Sequence, residues 1–100
     1  MLRVLHLTPN EKKIIVEDFV NDLASGDSIT ARDVKAFSSD GTDVTATRVA
    51  SIAGATTKIQ FEWPISGVNY EDYRVVFKAT TTTEILERAI EVRIRTTPVE

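Results

Sequence analysis

One hundred residues are one domain's worth of chain, enough to bury a core without disulfide or metal staples. Apolar residues make up 42% of it, which excludes a disordered composition, and the lack of cysteine excludes disulfide frameworks, thiolate metal sites and cysteine nucleophiles together. The net charge of −3 is spread evenly: six basic and eight acidic residues in positions 1–50, six and seven in 51–100. No basic stripe faces phosphates, so no nucleic acid is expected as a partner. Eleven Val, nine Ile and thirteen Thr stand against five Leu, so a third of the chain is β-branched and leans to strand.

Residues 1–7 are apolar at Leu2, Val4, Leu5 and Leu7, but too short for a signal-peptide core and without a small-residue cleavage site. No run approaches the length that spans a bilayer, so a soluble, unprocessed chain with no membrane partner is expected. The four apolar residues include both strand parities. A strand apolar on both faces needs cover on each, and one sheet of so small a domain covers one. Leu2, Val4, Leu5 and Leu7 are therefore candidate partner-binding residues, as are residues 96–100 at the other end. The segment can equally form the first strand of the domain's own sheet, and the two roles are compatible.

Residues 8–26 admit two readings. Thr8-Pro9-Asn10-Glu11 has the form of a capping box, Ile15, Phe19 and Leu23 recur every four residues, and Gly26 suits a helix end. Against this, Ile14-Ile15-Val16 is a β-branched run inside a strand over 12–19. The neighbouring strands, and a resemblance given below, favour the strand, with a turn over 22–27 and room for one helical turn at 20–23. Residues 28–37 form a strand whose parity slips between Ile29 and Val34, which a β-bulge near Arg32-Asp33 would reconcile.

Residues 38–43 (Ser-Ser-Asp-Gly-Thr-Asp) are a dense turn signal, 44–52 one or two short strands, and 53–55 a further turn. Over 58–63, Ile59, Phe61 and Trp63 alternate with Lys58, Gln60 and Glu62 until Pro64 ends the strand. A loop around Gly67 leads to two more alternating strands, one with Tyr73, Val75, Phe77 and Ala79, the other with Ile90, Val92 and Ile94. The threonine tract 80–83 joins them as an antiparallel pair.

About seven short strands without a βαβ rhythm predict an all-β, immunoglobulin-like antiparallel sandwich, a single domain over residues 1–100. Ile29, Ile59, Phe61, Trp63, Tyr73, Val75, Phe77, Ile90, Val92 and Ile94 make its core. Tyr73, just past a turn, stands where sandwiches carry a tyrosine corner.

Chemistry is sparse. His6 is the one histidine, no nucleophile elbow occurs, and the four glycines are scattered as turn residues. Asp18, Asp22 and Asp27, and separately Asp40 and Asp43, have the oxygens calcium requires, but aspartate at turns is expected for backbone hydrogen bonding alone. No catalytic residue, cofactor, metal or small-molecule substrate is expected.

Several motifs stand in a fixed order. Pro9-Asn10-Glu11 leads to Glu17-Asp18-Phe19, then Leu23-Ala24-Ser25-Gly26-Asp27-Ser28-Ile29, then Ser39-Asp40-Gly41-Thr42-Asp43-Val44. Tyr73-Arg74-Val75, Ala79-Thr80-Thr81-Thr82 and Glu87-Arg88-Ala89-Ile90-Glu91-Val92 close the series. Across residues 9–95 this order resembles the small immunoglobulin-like virion proteins of tailed bacteriophages known as phage fiber–tail adaptors. Asn10 and Glu84 depart from that pattern, as does the lack of an aromatic at the expected place after the Ile29 strand. The resemblance implies a non-enzymatic structural part of a virion, made in the bacterial cytoplasm and placed in the tail, neck or fiber-attachment region. Its partners would be other phage virion proteins and further copies of itself. A stand-alone adhesion or carbohydrate-binding sandwich is the alternative.

Overall fold

The computed structural model describes residues 3–24, 26–65 and 70–96. Seven strands and one helical turn follow in order: β1 (Arg3–Leu7), β2 (Lys13–Asp18), β3 (Ala31–Ser38), α1 (Thr45–Arg48), β4 (Ala50–Gly54), β5 (Lys58–Trp63), β6 (Asp72–Thr80) and β7 (Ile85–Ile94). They make two sheets, ordered β1-β7-β6-β3 and β2-β5-β4. Splitting the second, fifth and fourth strands from the third, sixth and seventh is the immunoglobulin division of a sandwich. Neighbours pair antiparallel, except that β1 lies parallel to β7, Arg3 beside Ile90 and Leu7 beside Ile94.

The strand alternation sets the core. Every residue expected there is buried, joined by Leu7, Ile15, Phe19, Val34, Ala36 and Ala79. Phe61 is the hinge of its aromatic part, edge-on to Trp63 at 6.4 Å and tilted against Phe77 at 5.7 Å. Tyr73 packs edge-on to Trp63 at 5.1 Å, and Arg48 lies over both rings. Burial pushes the Tyr73 phenol up, partly opposed by the Arg48 charge. No hydrogen bond ties its hydroxyl back to a loop among the described residues, so the expected tyrosine corner gives way to this stack.

Residues 13–18 are strand. The capping-box residues do bond, Thr8 N–H to Glu11 Oε1 at 2.7 Å and Glu11 N–H to Thr8 O at 3.2 Å, but they close a single turn. The β-branched run beyond them pairs with β5 instead of coiling.

Three expectations need correction. The β3–β6 register runs unbroken from Ala31–Thr80 to Ser38–Tyr73, so no bulge lies at Arg32-Asp33. The parity slips because the chain changes sheets before β3 begins. Ile29 N–H bonds Thr56 O beside the β4–β5 turn, while Thr30 N–H bonds Thr80 O of β6. Second, residues 45–48 are a helical turn, started where the Asp43 carboxylate accepts the Thr45 N–H at 2.9 Å. Third, Gly54 ends β4 and the turn falls one step later, where Ala55 and Lys58 exchange backbone bonds. The true bulge is in β4 between Ala50 and Ala53, with Ser51 at φ 53°.

Candidate partner-binding edges

Cross-strand pairs on the outer face of the four-stranded sheet match charges: Asp33–Lys78–Glu87, and Arg74–Glu91. A face laced this way is at home in water. The edges are more informative, because an unpaired strand edge invites another chain unless something blunts it.

Three edges are blunted. Along β3, the returning segment 42–45 takes up the backbone: Ser38 N–H bonds Thr42 O, Val44 N–H bonds Ala36 O, and Ala36 N–H bonds the Thr45 hydroxyl. The sharp turn before it needs Gly41 at φ 90°. β4 is short and bulged. β2 is covered by two arginines from the facing sheet. Phe19 N–H points to Thr57 O on the β5 side, so Val16 and Asp18 turn their carbonyls outward. Arg3 Nη2 bonds Val16 O at 3.3 Å and Arg88 Nη1 bonds Asp18 O at 2.8 Å.

The fourth edge is β1. Leu7 O accepts from Arg95 N–H on the β7 side, so Val4 and His6 direct their backbone groups away. No bond to them is present among the described residues. Of the four candidate partner-binding residues, Leu7 is buried at 3% exposure and Leu5 packs against the core, both on the inward parity. Val4 lies half-buried on the outer face beside Glu91. Leu2 is outside the described residues, as are residues 97–100.

Arg88 also anchors a polar cluster that sequence reading missed. It bonds Glu17 Oε2 at 2.8 Å and Asp22 Oδ2, and lies over the Phe19 ring at 4.6 Å. The Asp22 and Glu17 carboxylates hold its guanidinium above the usual range. Arg3 comes within 3.2 Å of Glu17 Oε1 but gives its N–H to Val16 O, so Oε1 accepts no hydrogen bond. The signal was parity: Glu17 shares a face with Ile15 and Phe19, and Arg88 with Ile90, Val92 and Ile94.

The aspartates weighed for calcium are engaged within the protein: Asp18, Asp40 and Asp43 accept from their own turns, and Asp22 binds Arg88. Asp27 accepts from Ser28 N–H and from the Thr82 and Thr83 hydroxyls, clasping the β6–β7 turn. Asp40 accepts from Thr42 N–H at 3.0 Å and the Ser38 hydroxyl, which brings its pKa down to about 2. Among the described residues no three His, Cys, Asp or Glu side chains converge as a metal site would require. Compared with known protein families, curated proteins and solved structures, the chain matches none.

Proposed function

We propose that this chain is a non-enzymatic structural domain of a tailed-bacteriophage virion, an adaptor in the tail, neck or fiber-attachment region. The motif order supplies the virion part of this reading. One structural observation supports the adaptor part: the outer edge of β1 keeps backbone donors and acceptors at Val4 and His6 uncovered, while β3 is taken up by the fold-back, β4 is bulged and β2 carries two arginines. An extended segment of a neighbouring virion protein can add there as a further strand. Leu7, held in the core, and Leu5, packed against it, anchor that edge. The carbohydrate-binding alternative has less to stand on, because sugar stacking uses exposed aromatics: Phe19, Phe61, Trp63, Tyr73 and Phe77 are buried, and the exposed Tyr70 has the Arg95 guanidinium over its ring at 5.0 Å.

A point substitution tests this better than deleting residues 1–7, which would remove Leu7 from the core. Val4→Pro removes an outward N–H and is the kind of proline an edge strand tolerates. The variant should keep the parent's far-UV spectrum and be absent from purified particles. Normal incorporation would overturn the β1 contact, and glycan-array binding by the isolated protein would favour the alternative.

A further inference from the structure

We propose that the edge of β2 pairs, across a twofold axis, with β2 of a second copy of this chain. This deepens the self-association expected above and does not depend on the virion reading. The segment reads Lys12-Lys13-Ile14-Ile15-Val16-Glu17-Asp18 and is complementary to itself when reversed. Laid antiparallel about Ile15, Lys12 faces Asp18 of the second copy, Lys13 faces Glu17 and Ile14 faces Val16. Opposite charges meet at both ends and apolar side chains in the middle. Moving the register by two residues, which preserves the faces, sets Glu11 against Glu17 in one direction and Ile15 against Glu17 in the other.

The structure provides what this register needs. Ile14 and Val16 are 52% and 39% exposed, large for β-branched side chains on a sheet face. Val16 turns its backbone outward, as the Arg3 bond to its carbonyl shows, and Ile14 shares that parity. The two residues meet across the axis as pairs that exchange both N–H···O bonds. Glu17 Oε1, which accepts no hydrogen bond, lies on the face that Lys13 of the second copy enters. Only the Arg3 guanidinium, itself half exposed, must leave Val16 O; Arg88 stays on Asp18 O and ends the ladder. The interface is isologous and closes at two chains.

Sedimentation equilibrium on the isolated protein tests this, with far-UV spectra and melting temperatures as folding controls. The parent should dimerise. Lys12→Asp and Asp18→Lys each turn two symmetric attractions into repulsions and should weaken the dimer roughly tenfold or more. Combining them restores opposite charge at both positions and should restore the dimer. A parent that stays monomeric throughout, a dimer indifferent to the single changes, or a double variant that stays weak would each overturn the proposal. None of these outcomes bears on particle incorporation through β1.

Discussion

Arg88 on the last strand crosses from one sheet to the other and ion-pairs with Glu17 on β2 at 2.8 Å, at the rim of the core. The side chains are 30% and 11% exposed, so the pair is partly desolvated, and losing Arg88 leaves the Glu17 carboxylate with the half-exposed Arg3 as its counter-charge and no hydrogen-bond donor. Arg88→Met should destabilise the fold by about 1–3 kcal/mol, the cost of leaving a buried charged acceptor without a hydrogen-bond donor. Glu17→Gln in the same background should recover part of that loss. A double-mutant cycle from chemical denaturation measures the coupling, and strict additivity would mean that the contact contributes nothing to stability.

Gly54 carries no side chain because Arg32 runs over it to the carbonyls of Lys58 and Ala55. A methyl group there would collide with both the Lys58 carbonyl and the Arg32 side chain. Gly54→Ala should therefore cost about 1–3 kcal/mol, as overpacking does. Joining it to Arg32→Ala should add less than the sum, since the arginine is part of the obstruction. Melting temperatures of the three variants decide this.

Phe77 and Trp63 flank Phe61 in the aromatic stack and are both fully buried. Truncating either to alanine should cost about 3–5 kcal/mol. A loss below about 1 kcal/mol at both would contradict the burial seen here.

Acid should expose the turn aspartates. Asp40 falls from 3.8 to about 2 on folding, and Asp27 and Asp43 are lowered by hydroxyl and backbone donors too. A depressed carboxylate contributes stability above its unfolded pKa and loses it as pH falls through the folded one. Stability should thus decline between about pH 4 and pH 2. Asp40→Asn should flatten that limb, read from denaturant midpoints at each pH. Because these oxygens already hold turn donors, chelator should leave the melting temperature unchanged.

How much of this was legible follows from which forces act locally. Alternation alone exposed β5, β6 and β7, because Ile59, Phe61 and Trp63, or Ile90, Val92 and Ile94, each recur every second residue. The transfer at Ile29–Thr30 looked like a bulge, since a chain that changes sheets and a chain that gains a residue shift parity in the same way. The helical turn at 45–48 depends on the Asp43 carboxylate and on the fold-back against β3, and neither leaves a periodic trace. The edge-covering arginines were hidden for another reason. Arginines read as surface charge, although the parity of Arg3 and Arg88 puts them on the inner face of their strands.

The parallel pairing of β1 with β7 bears on how the domain would carry load. The chain enters this pair at Arg3 and leaves it at Ile94, at opposite ends of strands that run the same way. Tension applied through the two ends slides β1 along β7 and strains every bond of that ladder together. Pulling open the β6–β7 hairpin would break its bonds one after another. A joint between two larger bodies would be tied through the strand pair that resists stretching by shear.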